Sequence, residues 1–351
     1  MKRTVAILLA LCMVIAVFTG CTASTDTSTA SEAAPATEEA APEAAEPGMV
    51  YELKLAHHLS MDHVYTAEIN WFAQQVEEQT GGAVKITVYP NEQLGDEETV
   101  CDAVIDGTID MGLVGPGVTG AYYAPITILE CCYIFRDIDH MTKVVEGEIG
   151  QELSEGLVDA IGVRTLCIPY YGTRHVTTGT KAINSAADIQ GLKLRCPNEN
   201  MITSCLNAMG FAATPMAFSE VYLALSQGAV DGQENPITTI LSNKFYEVQD
   251  YICLTGHTIQ TLPLIINEEA YQAIPAEYQA IMGELALEAA KRINEGIIAG
   301  EAEGIDELKA DGMTVTEIDT TELRAAITQT VVPQFESAWG EGLYERIQDV
   351  N

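Results

Sequence analysis

GLKLRCPN (residues 191–198), TPMAFSEVYLALSQGAVDGQENP (214–236) and KFYEVQDYICLTGH (244–257) lie in one stretch whose reading decides the fold. Pattern alone predicts strand, helix, short strand, helix, strand, helix and strand across it. Leu192 and Leu194 flank Lys193 in strict alternation and put Arg195 at a strand end. Residues 220–227, with Val221, Leu223 and Leu225, read as a helix that Gly228 stops. Residues 229–234 form a brief extended run with an Asp-Gly turn inside it. Asn235 precedes Pro236, which disfavours the helical region and holds the asparagine extended. One segment thus ends in a guanidinium and another presents a carboxamide, a pairing suited to a carboxylate.

The rest of the chain is strongly acidic. It has 351 residues, 51 acidic and 17 basic, for a formal net charge of -34. Such a balance repels nucleic acid and anionic membrane surfaces, and makes any anion site a local exception. Arg174, Lys181, Lys193 and Arg195 cluster within the middle of the chain. The lysines read as solvated surface charge; the arginines stand out against the acidic background.

Residues 1–20 carry Lys2 and Arg3 ahead of a short apolar run, the pattern of a signal peptide. Thr19 and Gly20 lead to Cys21, similar to the bacterial lipobox, so Cys21 is the expected lipid attachment point. Residues 21–48 continue as a Ser/Thr-rich, then Ala/Pro/Glu-rich tether without apolar periodicity. Such a coil spans about 30 Å on average. The cysteines beyond Cys21 (Cys101, Cys131, Cys132, Cys167, Cys196, Cys205 and Cys253) are odd in number and lack CxxC spacing. They read as buried thiols, not as a disulfide framework or zinc site.

From residue 50 the rhythm is β-α-β-α-β: strands over 50–56, 84–89 and 110–114, with helices over 62–79 and 96–106. It predicts an α/β domain with a mostly parallel sheet, whose ligands bind at the carboxyl ends of the strands. His58 and Gly115 lie at two such ends and Glu97 beside another. His57, His58, Asp62 and His63 fit no zinc spacing, and no metal or cofactor is expected. After helices near 139–145 and 149–158, residues 161–171 read as one strand leaving the first domain. Gly172-Thr173-Arg174 follows at the crossover. Residues 262–267 read as a returning strand. A helical pattern over 275–311 is interrupted by Gly296, Gly300 and Gly304, where a bend or break is expected. A strand over 313–318 and a helix from Thr321 end the chain.

These segments, with YYGTRHVTTGTKAINSAADI (170–189) and VKITVYPNEQLGDEETVCDAVIDGTIDMGLV (84–114), resemble the solute receptors of TRAP transporters, the DctP family. The likeness runs from about residue 51 to the C-terminus. It implies an α/β, two-lobed periplasmic-binding-protein-like fold with a long inter-lobe helix. Residues 49–172 plus 261–300 would form one lobe, and 173–260 plus 301–351 the other. The resemblance makes Arg195 the bidentate partner of a ligand carboxylate, with Arg174, Asn235 and Asn198 assisting and Phe218 lining the pocket. It also implies a small organic acid as ligand and membrane permease subunits as partners. The first lobe departs from the sialic acid receptors of this family. His58 stands where they place an asparagine, Gly115-Pro116 where an acid follows the third strand, and Glu97 keeps one acid nearby. This points away from sialic acid and leaves a sugar acid, a dicarboxylate or another hydroxy or keto acid. A secreted enzyme is the competing class, but GxSxG, HExxH and SxxK are all missing. A lipid-anchored sensor on the same fold is the other.

Overall fold

The computed structural model describes residues 49–351. The leader, Cys21 and the tether lie outside the described residues. Eleven strands form two sheets: β1 (Tyr51–Ala56), β2 (Val84–Tyr89), β3 (Met111–Leu113), β4 (Val163–Cys167), β5 (Tyr170–Thr178), β6 (Lys193–Cys196), β7 (Ala212–Pro215), β8 (Gly232–Pro236), β9 (Tyr251–Thr261), β10 (Leu264–Asn267) and β11 (Thr314–Thr316). The first sheet has the order β2-β1-β3-β10-β4, the second β11-β9-β5-β8-β6-β7.

The first sheet follows from its alternation. In β1, Leu53 and Leu55 are buried while Glu52 and Lys54 face solvent. β1 pairs parallel to β2 and β3, whereas β10 runs antiparallel to β3 and β4, so the sheet is mixed. In the second sheet the expected order of elements holds, with the strand near 229–234 displaced to Gly232–Pro236.

The connection between lobes differs from the single strand expected over 161–171. Ile168-Pro169 splits it, leaving β4 in the first sheet and β5 in the second. Leu262-Pro263 divides β9 from β10 in the same way. Proline has no N–H to give a ladder, so each prolyl residue ends one pairing and lets the chain change sheets. The two crossings run side by side: Tyr170 pairs with Thr261, and Leu262 N donates to Pro169 O at 3.1 Å.

Residues Ala276–Ala310 form one continuous helix of 35 residues, about 52 Å at 1.5 Å per residue. No break occurs at the glycines, because packing on both lobes outweighs their low propensity. A Cβ on Gly296 would lie 2.7 Å from Val64, on Gly300 2.7 Å from Thr238, and on Gly304 2.5 Å from Ile237. The glycines thus let the helix approach the first lobe's helix Val64–Gln79 and the second lobe's helix Ile237–Ser242 closely. Glu301 on the same helix accepts from Thr173 N at 2.6 Å and Tyr170 Oη at 2.8 Å, tying it to the crossing strand.

Residues 332–349, assigned from sequence to the second lobe, pack against the first. Trp339 Nε1 donates to Thr127 Oγ1 at 2.9 Å, Arg346 pairs with Glu152, and Gln348 O accepts from Arg136. The chain end therefore straps one lobe to the other. Among the described residues no helix is long and apolar enough to cross a membrane.

Candidate functional site

A cavity of about 230 Å³ lies between the lobes, and Arg195, Arg174, Asn235, Asn198, Phe218, His58 and Glu97 all line it. The second sheet supplies the polar floor. β6 pairs parallel to both β7 and β8, so its last residues project at the cleft end of the sheet. Arg195 is 2% exposed there. Its Nε and Nη2 donate to Met216 O at 3.1 and 2.6 Å, and its guanidinium carbon sits 5.7 Å from the Phe218 ring centre. Among the described residues it has no carboxylate partner. Burial is the main cause that draws its pKa down to about 10, with Glu234 opposing; it stays cationic at neutral pH.

Arg174 is in a different situation. Two irregularities in the β5–β9 register flank it, between Tyr170 and Gly172 and between Arg174 and Val176. Gly172 at the first has φ +134°, and a Cβ there would lie 2.4 Å from Pro236, so only glycine fits this bend. Arg174 Nη2 donates to Glu234 Oε1 at 2.7 Å and to Glu234 O at 2.6 Å. Its Nε reaches Glu234 Oε2 and its Nη1 reaches Gln260 Oε1. Four of its five N–H groups are thereby occupied. His57 and His63, by contrast, need no partner ion: burial pushes both down to about 3, so they are neutral.

Glu234 closes this network, accepting also from His257 Nε2 at 3.1 Å. Burial alone would raise its carboxyl, but Arg174 and His257 outweigh that and hold it at about 2. Asn235 Nδ2 spends one N–H on Gln233 Oε1 and keeps the other. Arg174 is therefore a neutralised group with one donor to spare, whereas Arg195 is a cation without a counter-ion among the described residues.

The first lobe forms the opposite wall. Glu97 and Glu98 open the helix Glu97–Ile105, whose N-cap is Asp96, a location where aligned peptide dipoles favour carboxylates. Glu97 Oε1 accepts from Gly115 N at 2.6 Å, and His58 Nδ1 lies 3.6 Å from Glu97 Oε2. The His58 ring meets Phe218 edge-on at 5.4 Å, a contact across the cleft. Asn198 Nδ2 donates to Glu98 Oε1 at 2.6 Å, also from one lobe to the other.

Sequence reasoning missed Glu199, Glu130, Gln260 and Glu234. Glu199 is 5% exposed and its Oε2 has no hydrogen-bond partner. Its carboxyl fills the space over Gly117, where a Cβ would lie 1.7 Å from Oε2. The acid absent after β3 is thus supplied by the other lobe. Burial foremost, then Glu130 and Glu97, pushes the Glu199 carboxyl well up. Glu130, fully buried, rises to about 8 for the same leading reason, although Arg174 and the Gln260 amide work against it. Glu234 sat inside the quoted QENP run and Glu199 directly follows the quoted GLKLRCPN, so both were legible as neighbours of Asn235 and Asn198. Gln260, between Ile259 and Thr261 in a long strand, gave no local signal. No three His, Cys, Asp or Glu side chains converge as a metal site requires among the described residues.

The model of the bacterial extracellular solute-binding protein family 7, DctP, matches residues 55–338. The chain belongs to this family. A solute-binding protein of Verminephrobacter eiseniae is 35% identical over 281 residues, covering 80% of this chain and 83% of the relative. The sialic acid-binding periplasmic protein SiaP of Vibrio cholerae is 32% identical over 295 residues, 84% of this chain and 91% of that protein. A TRAP periplasmic solute-binding protein of Polaromonas, solved with bound D-erythronate, superposes with a TM-score of 0.82 at 32% identity. That match covers 86% of this chain and 99% of the other. The receptor thus has the two-lobed fold that its sequence implied.

Proposed function

We propose that this receptor holds a small organic acid by its carboxylate between the lobes and delivers it to the membrane subunits of a TRAP-type transporter. One observation carries the reading: Arg195 is a buried guanidinium without an anion among the described residues. Burying an uncompensated charge costs several kcal/mol. A carboxylate meeting the Nη groups side by side would offset that cost with two charge-assisted hydrogen bonds. Asn235 and Phe218 stand beside Arg195 to orient the group, and Arg174 keeps the floor rigid. Lobe closure, already bridged by Asn198–Glu98 and His58–Phe218, would exclude water from the contact.

Family membership supports an extracytoplasmic place and permease partners. Cys21, following the apolar leader, would tether the receptor to the membrane by lipid. Relatives in this family are solute-binding proteins, and in this reading the receptor likewise binds its acid without catalysis. His58 in place of an amide donor argues against sialic acid as the ligand. A thermal-shift screen over organic acids tests the reading. A true ligand at 100 times its dissociation constant adds about 2.7 kcal/mol of stability. Binding only of uncharged solutes, or binding unaffected by loss of Arg195, would sink it.

A further inference from the structure

We infer that the cleft selects a short polyhydroxylated monocarboxylate, with hydroxyl groups donating to Glu97, Glu98 and Glu199 opposite the carboxylate on Arg195. The inference rests on the carboxylate-binding reading above and narrows it to a class.

The charges in the cavity are one-sided. Arg174 is neutralised by Glu234, so Arg195 remains as the cation available to a ligand. Facing it are Glu97 and Glu98 from the first lobe, with Glu92 and Asp96 also on the lining, and from the second lobe the buried Glu199 carboxyl, which burial drives towards its neutral form. A ligand with a second carboxylate would put that charge against Glu97 and Glu98, and like charges at close range repel. A plain alkyl chain would leave the buried Glu199 Oε2 unpaired, an outcome as costly as losing a hydrogen bond. A hydroxyl avoids both penalties, because it donates to a carboxyl oxygen and adds no charge.

The acceptors are also spread out. Glu97 Oε1 is engaged by Gly115 N, Glu98 Oε1 by Asn198, and Glu199 Oε2 has no partner. They do not converge in threes on a point where a cation could sit. Dispersed acceptors match several hydroxyls along a chain better than the single ammonium of an amino acid.

Length is limited by a partition. Glu98, Asn198 and Glu199 line both the cavity of about 230 Å³ and a neighbouring one of about 700 Å³. With Asn198 bonded to Glu98, they stand between the two. The inner space of about 230 Å³ leaves room for a short chain.

Calorimetry with chain-matched probes tests this on the purified receptor. The probes are four- to six-carbon aldonates and uronates, the aldarates with both ends oxidised, the hydroxyl-free carboxylates, and amino acids. An aldonate or uronate should bind most tightly, with its aldarate and its hydroxyl-free analogue weaker by roughly a hundredfold or more. Glu199→Met keeps side-chain length and removes both acceptors. It should weaken the aldonate or uronate by roughly ten- to a hundredfold, while ligand-free melting confirms that the variant is folded. A dicarboxylate, fatty acid or amino acid as tightest ligand overturns the inference. So does unchanged affinity in Glu199→Met, and so does a panel in which nothing binds. If such a competing acid still depends on Arg195, the carboxylate reading stands alone; if binding ignores Arg195, both fall.

Discussion

Glu199 of the second lobe reaches across the cleft and lies over Gly117 of the first, so closely that a Cβ on Gly117 would stand 1.7 Å from Glu199 Oε2. The backbone at Gly117 does not itself demand glycine; the carboxyl above it does. Gly117→Ala should therefore leave the separate lobes folded and obstruct their closure. An overpacking penalty of about 1–3 kcal/mol would fall on the closed form. Ligand affinity should drop by roughly ten- to a hundredfold by calorimetry, with X-ray scattering showing a more open average shape. Wild-type affinity in the variant would mean that Glu199 leaves this position on closing.

Arg195→Lys retains a positive charge and loses the planar fork. A lysine cannot present two parallel donors to a carboxylate, and its ammonium is more strongly hydrated. Affinity should fall by about 2–3 kcal/mol, the scale of a charge-assisted pair. Unchanged binding enthalpy and affinity would remove Arg195 from the site.

Glu234→Gln leaves the Arg174 guanidinium buried without its carboxylate. Breaking one side of a buried pair costs about 3–5 kcal/mol. Denaturant unfolding of ligand-free protein should show that loss, because the pair belongs to the scaffold. A stability change within error would mean that Gln260 and the Glu234 carbonyl suffice.

Stability should fall as pH rises above 6.5 and fall again in acid. Glu130 and Glu199 have raised pKa values, Glu130 at about 8, so they favour folding most while protonated; that contribution fades as pH climbs from the ordinary 4.5 towards 8. His57, His63 and His175 are held near 3, below their ordinary 6.5, so protonation of the unfolded chain erodes stability as pH falls below 6.5. Glu301, also raised by burial, joins the two carboxyls, so just above 4.5 three groups of each kind oppose one another and the curve is nearly level, whereas above 6.5 the carboxyls act without the histidines and stability falls. Glu234, held at about 2, adds a further loss in acid. Calorimetric melting from pH 4 to pH 9 checks the curve. In Glu130→Gln the alkaline limb should flatten; a wild-type slope there would acquit Glu130.

Much of this fold was readable because its signals are local. Strand alternation at 51–56 and 84–89 and the helix starts after His63 and Asp96 depend on neighbours in the chain. The first crossing was read as a single strand because Ile168-Pro169 sits in an apolar run that looks continuous. The helix Ala276–Ala310 looked fragile because Gly296, Gly300 and Gly304 weaken an isolated helix, and their reason lies in Val64, Thr238 and Ile237. The C-terminal strap was misplaced because nothing near Trp339 in sequence names Thr127 as its partner.

By itself the sequence determined the alternation of elements, the two α/β halves and the presence of Arg174, Arg195 and Asn235 near one end of a sheet, since those depend on short-range patterning. It could not say which arginine is free. The β5–β8 register settles that: Val176 pairs with Glu234, which sets Glu234 diagonally beside Arg174 on the same face and leaves Arg195 without a carboxylate. The approach of Glu199 to Gly117 is likewise a property of two lobes in contact, because a buried charge is defined by what surrounds it and not by its place in the chain.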